Sequence, residues 1–215
     1  MAHSAEMNAD VPRFLPLLAA LALAACCESA PPDPARDPGP PAADAALSLL
    51  DLDGVSREPT VCGEGDKAAC IIFTTTDCPI ANGYAPEIAA IAKEYAPRGI
   101  RFTLAQVDPD LTAEVARAHA KEYSLESVAQ VFDRRHELAD FAGATITPEA
   151  AVYLPGGDLA YRGRIDDQFA ELGVRRAEPS ERDLRAALDA ILAGQPVPTP
   201  RTDAVGCLLP LPLEE

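Results

Sequence analysis

Apolar and polar residues in the first half of the folded part follow two different periods, which predict alternating strands and helices. Cys70–Thr75 is an apolar run with β-branched residues, as expected of a buried strand. Asn82–Tyr95 carries apolar residues at helical spacing, and Gly99 ends that segment. Ile100–Val107 alternates again as a strand. This part of the chain therefore predicts a β-α-β succession.

The same criteria divide the second half of the folded part into further elements. A strong turn, Pro155–Asp158, joins two predicted strands into a hairpin. The predicted elements are a helix over Leu111–Tyr123, a strand over Val128–Phe132, a helix that Asp133 caps and that ends at Gly143, strands over Ala150–Leu154 and Leu159–Ile165, and a helix over Glu181–Leu192 capped by Ser180. Early alternation followed by a late hairpin predicts an α/β fold with a central mixed β-sheet flanked by helices.

The N-terminal residues predict export and a lipid anchor. Arg13 precedes an apolar stretch, Phe14–Ala25, that is too short to span a bilayer and suits the apolar region of a signal peptide. The stretch ends in Leu-Ala-Ala-Cys, which resembles the bacterial lipobox, so Cys26 is the predicted lipidation site. We expect residues 1–25 to form a lipoprotein signal peptide and proline-rich residues 26–44 to form a disordered tether.

Domain boundaries and location follow from this layout. Residues 45–200 are expected to form one folded domain, and residues 201–215 a C-terminal tail that carries Cys207. Lipidation would hold the protein in the cell envelope, facing the periplasm or the exterior, with the anchor as its membrane contact. Acidic residues outnumber basic ones 34 to 18, which argues against nucleic-acid partners because these require a basic surface.

Cys78 is the residue with the clearest chemical potential. It lies between a predicted strand and the following helix, and a thiol at a helix N-terminus is stabilised as thiolate by the macrodipole and by free backbone N–H groups. Thiolate is the form that attacks disulfides and peroxides. The neighbouring carboxylate of Asp77 is expected to act in the opposite direction and raise the pKa of Cys78. A structural half-cystine or an inert buried thiol is the alternative interpretation.

Four features, taken in their order along the chain, resemble the thioredoxin fold. Cys78 opens a helix after a buried strand, Pro86 lies inside that helix, Thr147-Pro148 precedes a strand, and the turn Pro155–Asp158 joins that strand to the next. Over Lys67–Gly194 the chain is similar in particular to the redoxin branch, the thioredoxin-like and alkyl hydroperoxide reductase/thiol-specific antioxidant proteins. The resemblance implies a cis Thr147-Pro148 bond packed against the nucleophile Cys78, with Thr147 and Pro148 shaping the substrate groove.

The chain departs from several subfamilies of this fold. Ala81 replaces the second thiol of a Cys-x-x-Cys site, and Asn82 replaces the second thiol of the Cys-x-x-x-Cys site of copper-delivering Sco-like proteins. Ile71 stands where peroxiredoxins carry a proline, although Thr75 fits their threonine. Any thiol that exchanges with Cys78 must therefore come from outside its helix, and disulfides are favoured over peroxides as substrates.

Three further cysteines of the folded part offer alternative pairings. Cys207 follows the last predicted helix, and it is either the resolving thiol for Cys78 or its partner in a permanent disulfide. Cys62 and Cys70 flank a glycine-rich loop at a spacing that permits a structural disulfide, which is the preferred pairing for them. Sequence alone leaves the connectivity of four cysteines open.

Structural roles are assigned to two histidines and two arginines. His119 and His136 lie on predicted helices among charged residues and are expected at the surface, and no metal site is predicted. Arg162 and Arg164 are expected to pair with acidic neighbours rather than with a thiolate. These neighbours are Asp158, Asp166 and Asp167.

Two functions fit these observations. The first is an exported thioredoxin-fold thiol oxidoreductase without a cofactor, in which Cys78 is the nucleophile and Cys207 the resolving thiol. Its partner would be a protein thiol or disulfide, or a small peroxide. The second is a non-catalytic binding or metal-handling module of the envelope, in which a Cys78–Cys207 disulfide is permanent.

Overall fold

A five-stranded β-sheet lies at the centre of the structure, a computed structural model that describes residues 47–213. The predicted signal peptide, the tether and Cys26 lie outside these residues. The strands are β1 (Leu49–Leu50), β2 (Ser56–Arg57), β3 (Ala68–Thr74), β4 (Ile100–Gln106), β5 (Ala129–Phe132), β6 (Ile146–Thr147), β7 (Glu149–Tyr153), β8 (Leu159–Gly163), β9 (Phe169–Glu171), β10 (Val174–Arg175) and β11 (Cys207–Leu208). The helices are α1 (Pro79–Tyr95), α2 (Ala113–Glu122), α3 (Glu137–Ala142) and α4 (Asp183–Leu192). Within residues 47–213, no helix combines the length and the hydrophobicity needed to cross a membrane.

The central sheet is mixed, as the sequence pattern predicts. Its strand order is β5-β4-β3-β7-β8, with β3, β4 and β5 parallel and β7 antiparallel to both of its neighbours. All seven residues of β3 are buried because helices pack on both faces of this central strand. The predicted α/β architecture is therefore confirmed.

Two apolar clusters, one on each face of the sheet, hold the helices in place. Alternate residues of β3 point to opposite faces, so that Ile72 packs with α1 and α4 whereas Ile71 packs with α3. Ile88 of α1 and Leu188 of α4 belong to the first cluster, and Leu138 of α3 belongs to the second. Full burial of one such aliphatic side chain contributes roughly 1.5–3 kcal/mol. These contacts fix α1, and with it the residues at its N-terminus, against the sheet.

Helix α1 begins where the sequence predicts, whereas α4 begins later. The first helical residue of α1 is Pro79, directly after Cys78, because proline suits the first position of a helix. Helix α4 begins at Asp183, and the predicted cap, Ser180, instead donates hydrogen bonds from its N–H and its hydroxyl to Asp167. The hydroxyl of Ser180 is therefore bound to the carboxylate of Asp167 and does not cap α4.

Asp133 does satisfy the N-terminus of a helix, as predicted. Its carboxylate accepts hydrogen bonds from the N–H groups of Leu138 and Ala139, although α3 begins only at Glu137. The sequence pattern did not predict the short strands β9, β10 and β11, which have two or three residues each and therefore show no period of their own.

Residues 200–213, which we call the C-terminal strap, are hydrogen-bonded to the domain. The N–H of Arg162 donates to the carbonyl of Pro200 at 3.0 Å, and the N–H of Thr202 donates to the carbonyl of Arg162 at 3.1 Å. Strand β11 then pairs antiparallel with β6, which places Cys207 opposite Thr147. The segment predicted as a C-terminal tail is thus hydrogen-bonded to the domain at Arg162 and at β6.

Candidate active site

Cys78 is the N-cap residue of α1. Its backbone is extended (φ -75°, ψ 112°), Pro79 occupies the first helical position, and Sγ accepts a hydrogen bond from the N–H of Ala81 at 3.4 Å. The cysteine is only 1% exposed. The helix start that the sequence predicts therefore gives this sulfur a backbone donor and the positive end of the helix.

The cis-proline loop, Thr147-Pro148, lies beside Cys78. The Thr147-Pro148 peptide bond is cis, as the resemblance implied. Thr147 ends β6 and is fully buried, and its carbonyl oxygen lies 3.2 Å from Cys78 Sγ. The fold thus brings Thr147, one of the two predicted groove residues, into contact with the predicted nucleophile.

Cys207 reaches the site from the C-terminal strap. Its Sγ lies 2.8 Å from Cys78 Sγ although the two cysteines are 129 residues apart, and both are free thiols. The pairing of β11 with β6 sets this contact, because Cys207 lies opposite Thr147 in the register. Gly206 permits the close approach, since a Cβ at this position would overlap the carbonyl oxygen of Thr147.

The pKa values of the two contacting thiols are shifted in opposite directions. Burial acts to raise the pKa of Cys78, but hydrogen bonds from Cys207 and from the N–H of Ala81 outweigh it, so the pKa is lowered. Burial, the neighbouring Cys78 and the carboxylate of Asp77 raise the pKa of Cys207 to about 11. The pKa of Cys78 is thus lowered despite the neighbouring carboxylate of Asp77, which raises the pKa of Cys207. Cys78 is the thiol of this pair that ionises first.

Asn82, at the position of the second thiol in Cys-x-x-x-Cys sites, connects the loop before Cys78 to α2. Its Nδ2 donates to the carbonyl of Thr76 at 3.0 Å, and its Oδ1 lies 2.7 Å from His119 Nε2. Because the amide oxygen only accepts, Nε2 of His119 carries the proton, and burial lowers the pKa of this histidine. The prediction of a surface histidine is wrong for His119, which is half-buried and stacks on Tyr123 with ring centroids 4.6 Å apart.

Three other residues also differ from their predicted surroundings. His136 is buried, and its Nε2 bonds a backbone carbonyl, so the prediction of surface placement is wrong for it as well. Arg162 and Arg164 do pair with acidic side chains, as predicted, but among residues 47–213 these include Glu149, at 3.5 Å from Arg162, and Asp183, at 2.6 Å from Arg164, neither of which was predicted. Strand and helix packing brings these pairs together, and a local sequence pattern does not encode such contacts.

Cys62 and Cys70, the predicted structural pair, are separate free thiols in the structure. Cys70 lies within β3 and is fully buried in the apolar cluster that contacts α1, whereas Cys62 lies in the preceding loop with its Sγ 3.8 Å from the carbonyl of Tyr153. The pleat of β3 directs the Cys70 side chain into the core and away from a loop cysteine. Among residues 47–213, no group of three or more His, Cys, Asp and Glu side chains is arranged to hold a metal ion.

The fold and the position of Cys78 define the class of protein: the chain has the thioredoxin fold, with a cysteine at the N-terminus of α1 beside a cis-proline loop. It is similar to an uncharacterised conserved protein from Geobacillus kaustophilus, with a TM-score of 0.68 and 25% identity over 83% of this chain and 94% of that one. DsbF of Mycobacterium tuberculosis, solved in mixed oxidised and reduced forms, gives a TM-score of 0.51 and 20% identity over 68% and 95% of the two chains. An uncharacterised thioredoxin-like protein from Porphyromonas gingivalis gives 0.51 and 15% over 69% and 91%. No protein-family model and no curated protein matches the sequence.

Proposed function

We propose that this protein is an exported thiol–disulfide oxidoreductase whose redox couple is the pair Cys78 and Cys207. The observation that carries the proposal is the 2.8 Å contact between their sulfurs, which the β11–β6 pairing holds across 129 residues of sequence. The S–S length of a disulfide is about 2.0 Å, so a small movement of the C-terminal strap brings the two sulfurs to bonding distance. The bond itself forms when a partner disulfide takes two electrons from the two thiols. The lowered pKa of Cys78 supplies a thiolate for exchange.

The reaction exchanges one disulfide for another and moves two electrons. The Cys78–Cys207 disulfide of the oxidised protein takes two electrons from a partner dithiol, which becomes a disulfide while both protein sulfurs become thiols. The reverse direction reduces a partner disulfide. Thr147 and Pro148 are proposed to shape the groove for this partner, a role that the contact between the Thr147 carbonyl and Cys78 Sγ supports.

Peroxide chemistry and a permanent disulfide are the alternatives to this function. Ile71 occupies the position of the peroxidase proline, so disulfides are favoured over peroxides as substrates. A permanent Cys78–Cys207 disulfide would instead make the domain a non-catalytic module of the envelope. The proposed couple and the permanent disulfide differ in whether the bond opens at the redox poise of the compartment.

Export belongs to the proposal because the chemistry requires a compartment in which disulfides persist. The apolar stretch Phe14–Ala25 and the lipobox-like Cys26 support secretion followed by lipid anchoring in the envelope. DsbF, which has the same fold, is described in mixed oxidised and reduced forms, and we propose that Cys78 and Cys207 exchange between the same two states. The partner is then an exported protein that carries thiols or a disulfide.

Equilibration of the full-length protein in glutathione redox buffers, followed by mapping of cysteine pairs by mass spectrometry, tests the proposal. The Cys78–Cys207 disulfide is expected to form and open reversibly at a potential above about −300 mV, below which structural disulfides lie. The matched control Cys62→Ser is expected to titrate like the unmodified protein. A disulfide that survives every buffer establishes the non-catalytic alternative, and failure of the disulfide to form under oxidising conditions contradicts the redox couple.

A further inference from the structure

The two sulfurs of the proposed couple differ in their access to solvent. Cys78 is 1% exposed, and its Sγ is in contact with the N–H of Ala81, the carbonyl of Thr147 and the Sγ of Cys207. Cys207 is partly exposed and is followed in the C-terminal strap by Leu208, which is 78% exposed. Cys207 is therefore the outer sulfur of the pair, and Cys78 is the inner one.

Disulfide exchange imposes a direction of approach on the attacking sulfur. A thiolate attacks one sulfur of a disulfide on the side opposite the leaving sulfur, and which sulfur it attacks depends on access. In the Cys78–Cys207 disulfide, attack on Cys78 would have to pass through buried protein, because the helix N-terminus and the cis-proline loop lie against that sulfur. Attack on Cys207 starts from the solvent side of the strap.

We propose that Cys207 is the sulfur that meets the partner, and that Cys78 is the inner thiol that makes and breaks the internal disulfide. The inference rests on the proposed function, and it reverses the roles that the sequence suggested for the two cysteines. Cys207 then carries the mixed disulfide with the partner. Cys78 is confined to exchange within the molecule.

Each step of this reaction balances. A partner thiolate attacks Cys207 Sγ, the internal S–S bond breaks, and Cys78 leaves with the electron pair as a thiolate. A second thiolate of the partner then attacks its own sulfur in the mixed disulfide, which releases the partner as a disulfide and leaves Cys207 to take up a proton. The partner has lost two electrons and the protein has gained two. A second disulfide, of a small thiol or of another protein, reoxidises the pair by the reverse steps.

The environment of Cys78 suits a leaving group. Exchange is faster when the departing thiol has a low pKa, and the N–H of Ala81 at the start of α1 stabilises the Cys78 thiolate as it leaves. The raised pKa of Cys207 makes it the poorer leaving group of the two. Access and leaving-group stability therefore favour the same order of attack.

A trapping experiment on the full-length protein tests this order. The oxidised protein is mixed with reduced glutathione for short times, quenched with acid, denatured, alkylated and mapped by peptide mass spectrometry. Glutathione is expected on the Cys207 peptide and the alkyl group on the Cys78 peptide, in about tenfold or greater excess over the reverse pattern. Capture of glutathione mainly on Cys78, or equally on both, overturns the proposed order. An internal disulfide that glutathione never opens overturns the proposed function as well, so the two failures are distinct.

Two single-cysteine variants provide a second measurement that does not depend on trapping a transient species. Cys78→Ser and Cys207→Ser are each loaded with glutathione at the remaining site cysteine while unfolded, and are then refolded. Release of glutathione is measured with a small dithiol and with a dithiol protein, because the ratio of the two rates removes the effect of the leaving thiol. The ratio of the protein-driven rate to the small-dithiol rate is expected to be about tenfold higher for Cys207 than for Cys78. Equal ratios, or a higher ratio for Cys78, contradict the inference.

Discussion

Two pairs of cysteines in this domain differ in how their separation in sequence relates to the contact between their sulfurs. Cys62 and Cys70 are close in sequence yet remain separate thiols, whereas Cys78 and Cys207 are 129 residues apart and have their sulfurs in contact. The strands explain the difference, because Cys70 is fixed in β3 facing the core while β11 brings Cys207 to Cys78. The spacing of cysteines in this chain is therefore a poorer guide to pairing than the element on which each cysteine lies.

The same two pairs differ in the chemistry of their thiols. Burial raises the pKa of Cys70 and that of Cys62, so both stay protonated near neutral pH. Cys78 is also buried, but it has the N–H of Ala81 and the thiol of Cys207 as donors, and its pKa is lowered. The donors at the Cys78 sulfur therefore outweigh its burial and make it the thiol that ionises.

Gly206→Ala is expected to have the largest effect, because it separates the sulfurs of Cys78 and Cys207. A Cβ at this position overlaps the carbonyl of Thr147, so β11 must move away from β6. Forced backbone shifts cost about 1–3 kcal/mol, so the Cys78–Cys207 disulfide should be weakened by up to about 100-fold. The equilibrium fraction of this disulfide in glutathione buffers, measured by mass spectrometry, checks the expectation.

Gly63→Ala is the matched control, because this glycine lies next to Cys62 in the other pair. A Cβ there would meet the carboxylate oxygen of Asp66 at 3.3 Å, which requires a shift of only a few tenths of an ångström. The variant is expected to titrate like the unmodified protein. Unchanged titration of both glycine variants would mean that the β11–β6 pairing does not set the sulfur contact.

Cys70→Ser tests the buried cysteine of the other pair, Cys62 and Cys70. A hydroxyl in the apolar cluster around Cys70 lacks a partner, and burial of such a group costs about 1–3 kcal/mol of the free energy of unfolding. Urea unfolding of the reduced protein measures this loss. Cys62→Ser, at a partly exposed site, is expected to stay within about 0.5 kcal/mol. Equal losses of the free energy of unfolding in the two variants would show that burial of Cys70 in the apolar cluster does not make its substitution more costly.

Much of the domain could be predicted from its residues because the signals are local. The apolar run of β3, the helical period of α1 and the turn Pro155–Asp158 each depend on residues within one element. The cis geometry of Thr147-Pro148 came instead from the resemblance, since most bonds before proline are trans.

The site could be predicted only in part, because half of it depends on contacts between distant segments. Cys78 at a helix start is a local feature, and Cys207 stood out as a thiol outside that helix. The contact between them depends on the pairing of β11 with β6. Strand β11 has two residues and is too short to show a period in the sequence. The hydrogen bond between Asn82 and His119 likewise joins two helices and leaves no signal in either.

Titration of the reduced protein gives the smallest expected effect and isolates what the sulfur contact contributes to ionisation. The pKa of Cys78 lies below its usual value, while those of the other described cysteines are raised; these are Cys62, Cys70 and Cys207. The native state therefore loses the Cys78 proton before the unfolded state does, whose pKa is about 8.5. The resulting stabilisation is complete above the unfolded pKa and is lost as the pH falls through the native pKa.

Cys207→Ala removes one of the donors to Cys78, so the pKa of Cys78 is expected to rise toward its usual value. The ultraviolet absorbance of the Cys78 thiolate should then develop at higher pH than in the unmodified protein. The stabilisation of the reduced protein that depends on this thiolate should be smaller, and its loss should be complete at a higher pH as acid is added. Cys62→Ala is the matched control and should leave this titration in place. If Cys207→Ala also leaves it in place, the N-terminus of α1 alone sets the pKa of Cys78, and the contact with Cys207 serves the redox couple without tuning its thiolate.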